Sequence, residues 1–135
     1  MKAFFPYSAT TQRITVRVNP RFLPDQSDPA APRYVWSYHV RIENDTTAPV
    51  QLIARHWVIT DGDGESDEVR GEGVVGAQPV IEPAGSFDYV SGCPLPTANG
   101  AMRGSYAMLG PDGLFEIVIP RFRLDSRHVR PDVSE

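Results

Sequence analysis

Three groups of residues in this chain have types and spacing that could do chemistry. Gly71, Gly73 and Gly76 form a G-x-G-x-x-G string. Elsewhere that spacing lets backbone N–H groups approach a dinucleotide pyrophosphate, while a following helix aims its positive end at it. Asp61, Asp63, Glu65, Asp67 and Glu72 fall at positions 1, 3, 5, 7 and 12 of a calcium-loop spacing. Arg55, His56 and Trp57 stand together in an apolar stretch, with Arg70 a short way on.

Each group has to agree with its neighbours. A dinucleotide site needs a buried strand before the glycines and a helix after them. Ser66 to Arg70 holds one apolar side chain, Val69, and Pro79 and Pro83 would interrupt a helix. Between Asp61 and Glu72 there are six carboxylates against one cation, Arg70. Like charges within a Debye length of ~8 Å repel a bare polyphosphate. Two roles are left for Gly71, Gly73 and Gly76. One is a backbone nest for pyrophosphate or a nucleotide, with a divalent cation shielding the acids. The other is a bulge with close backbone contact at a sheet edge, Val74 and Val75 giving apolar cover.

The calcium spacing lacks its context, because Ser66 stands where the sharp turn needs glycine and the flanks read as strands. A solvated acidic turn is expected, and no metal. His39, His56 and His128 lie on different segments with no C-x-x-C or H-x-x-x-H pairing, so no zinc site is expected. No G-x-S-x-G elbow occurs, and Cys93 sits beside Pro94 without a histidine motif nearby. No catalytic constellation and no cofactor are expected, and the protein reads as a non-enzyme.

The totals fit a single domain. The chain has 135 residues, 41% hydrophobic and 22% charged, with thirteen prolines and eleven glycines spread between apolar runs. A net charge of −4 argues against nucleic-acid binding by phosphate neutralisation. One cysteine forms no internal disulfide and suits a reducing compartment. Met1 to Tyr7 is too short an apolar run for a secretory segment, and no stretch approaches the ~20 residues of a membrane span. A soluble, cytoplasmic protein is expected.

Short-period alternation then places the elements. Residues Met1 to Gln12 show no period and read as a loose arm. Ile14, Val16 and Val18 start a half-buried strand, and Pro20 to Pro32 a long loop. Tyr34, Trp36, Tyr38, Val40 and Ile42 share one face of the clearest strand, with Trp36 in the core. Val50 to Thr60 has apolar residues on both faces: Leu52, Ala54, His56 and Val58 on one, Ile53, Arg55, Trp57 and Ile59 on the other. One face is expected to fill the core, the other to be covered or left for a partner.

Glu65 to Arg70 reads as a polar edge strand, and Phe87 to Ser91 as a strand broken at Cys93-Pro94-Leu95-Pro96. Met102–Leu109 and Leu114–Phe122 read as a hairpin around Gly110-Pro111-Asp112-Gly113. The core spans about residues 14–124, and the charged tail 125–135 is expected to fray. About seven strands without crossover helices point to an antiparallel β-sandwich of the fibronectin-III or immunoglobulin class.

Longer strings carry a family resemblance. Arg55-His56-Trp57, Gly71-Glu72-Gly73-Val74-Val75-Gly76-Ala77-Gln78-Pro79 and Gly104-Ser105-Tyr106 resemble the ApaG family. So do Phe87 to Gly92, Pro94 to Thr97, Gly100 to Met108 and Ile119 to Phe122, so that the match runs from about Ile14 to Leu124. The resemblance implies a fibronectin-III-like sandwich. ApaG-like domains in eukaryotic F-box proteins and in a polymerase-delta-interacting protein look like protein-recognition modules. Bacterial members are often encoded beside a diadenosine tetraphosphatase and an rRNA dimethyltransferase, and the family is linked to cobalt and magnesium tolerance.

A protein-interaction module is therefore expected, binding a protein partner through a surface that joins Arg55, His56, Trp57 and Arg70 to the glycine segment. An exposed edge strand also leaves a homodimer open.

Overall fold

The computed structural model describes residues 4–127, and within them every regular element except one short 3₁₀ turn is a strand. In chain order these are β1 Tyr7–Thr11, β2 Ile14–Phe22, β3 Tyr34–Asn44, β4 Val50–Asp61, β5 Ser66–Glu72, β6 Val80–Ile81, β7 Ser86–Leu95, β8 Asn99–Gly110 and β9 Gly113–Asp125. One antiparallel sheet has the order β1-β2-β3-β7, the other β5-β4-β8-β9, with β6 paired to the start of β4. The two pack as a β-sandwich of the immunoglobulin and fibronectin-III class. Among the described residues no helix is long and apolar enough to cross a membrane.

The alternation of β3 gives it a clean inner face. Trp36, Tyr38, Val40 and Ile42 are buried, and β3 lies between β2 and β7. Asn44 ends it as a fully buried polar residue whose hydrogen bonds are all internal. Its Nδ2 donates to the Ala48 and Ile81 carbonyls, and its Oδ1 accepts from Thr46. This ties the β3–β4 turn to β6, and leaving those groups unpaired would cost about 1–3 kcal/mol each. Trp36, Tyr106 and Phe122 are the largest fully buried side chains, in a core that runs from Ile14 to Leu124.

Four sequence expectations are corrected. The segment before Ile14 is not a loose arm: Tyr7–Thr11 pairs with β2 as a hairpin edge strand. Its two-residue turn, Gln12 and Arg13, has φ of 48° and 68°, the left-handed geometry that matches strand twist but is usually marked by Asn-Gly. The β2 strand continues past Pro20 to Phe22, because β1 ends opposite Val18 and no partner strand needs the missing donor. The following loop contains a 3₁₀ turn, Pro24–Gln26. Likewise β7 is not broken at Cys93-Pro94 and runs to Leu95, since it is an edge strand that tolerates proline. With β1 and β6 the strands number nine among the described residues, against the seven or so expected. The His128 imidazole and the tail from 128 on lie outside the described residues.

The fifth correction matters most for the site. The register of β4 on β8 shifts between Leu52 and Ala54. Ile53 is an extra residue, a β-bulge, and it exchanges the faces of the strand. Val50 and Leu52 point inward before the bulge; Arg55, Trp57 and Ile59 do so after it. The stretch therefore has one inner face that changes sides, where an unbroken alternation would give two apolar faces. The β9 strand does the same near Pro120, with Ile117 and Ile119 buried before the shift and Phe122 and Leu124 after it.

Candidate functional site: a cleft between the sheets

Beyond the bulge, β5 continues the inner face of β4. Gly71 lies opposite Arg55, Val69 opposite Trp57 and Asp67 opposite Ile59. On the other sheet, Ser91 lies opposite Tyr38 and Cys93 opposite Trp36. Between β5 and the end of β7 the sheets part. A cleft of about 430 Å³ opens there, floored by Tyr38, Trp57 and Ile59, walled by Ser91 to Pro96, and lipped by Val69 and Asp67.

Trp57 is not the exposed surface residue expected. It is 3% exposed, set edge-on against Tyr38 at 5.3 Å and packed on Tyr106 and Phe122. It belongs to the core and contributes an edge to the floor of the cleft. The four residues expected to share one surface divide between two. Arg55 and Trp57 face the cleft, while His56 and Arg70 lie on the outer face. There Glu68 receives His56 Nε2 at 2.8 Å and Arg70 Nη2 at 3.3 Å. The His56 hydrogen bond, then the charges of His56 and Arg70, hold the Glu68 carboxyl below its ordinary range.

The glycine string turns out to clamp the bulge. The Ile53 carbonyl accepts from the Gly73 N–H at 2.8 Å and from Gln78 Nε2 at 2.9 Å, and Leu52 N–H donates to the Pro79 carbonyl at 3.0 Å. Val74 and Ala77 exchange backbone hydrogen bonds of 2.8 and 2.9 Å, with Val75 (φ 43°) and Gly76 (φ 82°) as the left-handed centre of the turn. The amides of Gly73, Val74 and Ala77 are thus spent on carbonyls and are not available to an anion. The loop presents oxygens instead. Arg55 Nη1 donates to the Glu72 and Gly73 carbonyls at 3.0 and 2.8 Å. The guanidinium lies across Gly71, where a Cβ would meet it at 2.8 Å. A Cβ at Gly71 would require the Arg55 guanidinium to shift.

The opposite end of the cleft is acidic. Asp61, Glu65 and Asp67 line it, and Gly62 N–H donates to Thr97 Oγ1 at 2.8 Å, closing that end. Asp61 Oδ1 accepts the Asp63 and Glu65 amides at 2.8 and 3.0 Å, so it caps its own turn. Among the described residues no three His, Cys, Asp or Glu side chains converge as a metal site.

Behind the floor lies a set of buried hydroxyls. Tyr89 and Tyr106 hydrogen-bond to each other, and burial raises the pKa of both, as it does that of Tyr38, against the opposing charge of Arg55. Burial also pushes the Cys93 thiol up to about 11, which keeps it neutral and unreactive. Nothing in the residue pattern marks Tyr38, Val69, Ser91 and Asp67 as lining one cleft with Arg55. The bulge and the inter-sheet packing that join them leave no periodic signal.

The chain matches the family model described as the ApaG domain over residues 24–110. It is 54% identical over 125 residues to Protein ApaG of Rhodospirillum centenum, covering 92% of this chain and 96% of that one. Against Protein ApaG of Paramagnetospirillum magneticum the identity is 52% over 129 residues, covering 95% and 99%. A crystal structure from Bordetella pertussis, described as an ApaA protein, superposes with a TM-score of 0.83 at 48% identity, covering 94% of this chain and 100% of that one.

Proposed function

The chain belongs to the ApaG domain family, and from that premise we propose that it is a non-catalytic protein-recognition module whose cleft between β5 and β7 receives a segment of a partner protein. The observation that carries this is the parting of the sheets over an aromatic floor. An apolar base with a few charged groups at its ends is the ordinary anatomy of a recognition cleft. A non-catalytic role is supported by the phenol and the thiol in the cleft lining. Burial holds the Tyr38 hydroxyl and the Cys93 thiol neutral, so neither is poised to exchange a proton or attack near neutral pH.

Photo-crosslinking tests the location. A benzophenone amino acid at position 69 reports from the lip of the cleft, and one at position 103 from the exposed outer face of β8. Specific adducts in cells are expected from position 69, and they should vanish when Ser91→Trp, on the inner face of β7, fills the cleft. Adducts from position 103 alone, or adducts at 69 that survive Ser91→Trp in a folded protein, would place recognition elsewhere.

A further inference from the structure

The cleft is electrically bipolar, and neither end is neutralised from within. Among the described residues no ion pair involves Asp61, Glu65 or Asp67, and no carboxylate pairs with Arg55. Arg55 spends Nη1 on the two carbonyls, and its other N–H donors have no partner among the described residues. The outer faces contrast with this: Arg17, Arg41, Glu43, Asp88 and His39 pair with one another, as do His56, Glu68 and Arg70. Between the two charged ends Trp57, Ile59, Val69 and Leu95 supply apolar lining, beside the hydroxyl-bearing Tyr38 and Ser91.

We infer that the cleft selects an extended peptide segment carrying a lysine or arginine at the Asp61–Glu65–Asp67 end, an apolar side chain over Trp57 and Val69, and a side-chain carboxylate on Arg55. This deepens the recognition function proposed above and rests on it. The spacing follows from β4. From Arg55 to the rows of Ile59 and Asp61 the strand advances ~13–20 Å at ~3.3 Å per residue, so the two charges of an extended segment stand about four to six residues apart. The backbone edges on either side are ill suited to adding a strand. Pro94 and Pro96 obstruct β7, and β5 carries Asp67, Glu68, Arg70 and Glu72 along its seven residues. Side chains, more than main-chain pairing, therefore give the recognition. Each charge meets an opposite charge fixed by the fold: Arg55 by the glycine turn, Asp61 by its own turn amides.

Selection from a random peptide library, displayed with both ends fused, tests this on the full chain. The enriched peptides should carry a basic and an acidic residue at the stated spacing and shift the Trp57 indole resonance. Asp67→Lys, an exposed change, should weaken them by about tenfold or more. Exchanging the basic residue of the peptide for glutamate should restore binding to that variant. Glu65→Lys provides the same reading if Asp67→Lys is poorly folded. Peptides that shift Trp57 but lack the charge pair overturn the inference while leaving the cleft as the recognition site. Peptides that shift only outer-face residues such as His56 and Arg103, or no enrichment at all, overturn both.

Discussion

The two long sides of this sandwich solve the same problem in opposite ways. Along one side β1 and β2 pack across onto β9 and the layers are shut. Tyr7 lies against Phe122, Thr11 Oγ1 accepts the Val118 N–H at 3.1 Å, and the Tyr7 hydroxyl accepts the Arg123 N–H at 3.4 Å. Side chains of one edge strand thus satisfy the free amides of the other. Along the other side β5 and β7 stay apart. The inward residues of β5 are Asp67, Val69 and Gly71, a charge, a half-exposed valine and a glycine already covered by Arg55. Such a strand cannot close an apolar layer, and the inward charge also deters edge-to-edge association. A sandwich shut by apolar and hydroxyl contacts on one side and held open on the other is what a recognition cleft requires.

The largest effect that separates a floor from a lip comes from Trp57. Trp57→Ala removes a ring packed on Tyr38, Tyr106 and Phe122 and should cost about 3–5 kcal/mol in urea unfolding. Val69→Ala, in register with it on the open side, should cost under about 1 kcal/mol. If Trp57→Ala costs no more than Val69→Ala, the indole is not core and the described cleft is wrong.

The edges come next. Thr11→Val leaves the Val118 amide without its acceptor and should destabilise by about 1 kcal/mol. Asp67→Val on the open edge should leave stability unchanged or raise it, while sedimentation shows increased self-association. A monomeric, destabilised Asp67→Val protein would mean that the open side is a stabilising feature of the fold and not an unfilled one.

The two sides also share a strained turn, at Gln12-Arg13 and at Val75-Gly76. Replacing Gln12-Arg13 by Asn-Gly should stabilise by about 1 kcal/mol, and Val75→Asn by a similar amount, because each removes a left-handed residue that carries a bulky side chain. Thermal unfolding reads both. A gain at the first turn and a loss at the second would show that Val75 packs in a way its exposure conceals.

These turns also show what could be read in advance. The class of fold was legible because β3 alternates without interruption and the β8–β9 hairpin is marked by four turn residues. The β1 strand was not, since Gln12-Arg13 adopts its left-handed turn without the asparagine or glycine that would announce it. Arg55 and the glycine string lie side by side, but the character of their contact is not legible in the sequence. Their link is a guanidinium on carbonyls, and it depends on a bulge at Ile53 that no period reveals. The same bulge hid Trp57 from inspection: reading β4 as unbroken places the indole opposite Leu52, on a face free for a partner, whereas the shifted strand turns it into the core.

The smallest expected difference concerns acid stability, and it contrasts the carboxylates of the two sheets. Glu43 Oε2 accepts from Arg17 Nε at 3.1 Å and from Arg41 Nε at 3.0 Å, across β2 and β3. The Arg17 hydrogen bond above all holds its carboxyl below the ordinary value of 4.5. The unfolded chain binds this proton more readily than the folded one. The stabilisation is therefore complete above about pH 4.5 and is lost as pH falls through the lower folded-state value. Because both arginines are more than a third exposed, solvent screening limits it to about 0.5 kcal/mol. Glu43→Gln should lose that amount at pH 7 and nothing near pH 2, measured as the difference in urea midpoint between the two conditions. Glu68, exposed on β5, is lowered in the same direction by His56 and Arg70, yet Glu68→Gln should leave the midpoint unchanged at either pH. Equal pH-dependent losses from the two variants would mean that the β5 edge is as firmly held as the β2–β3 face.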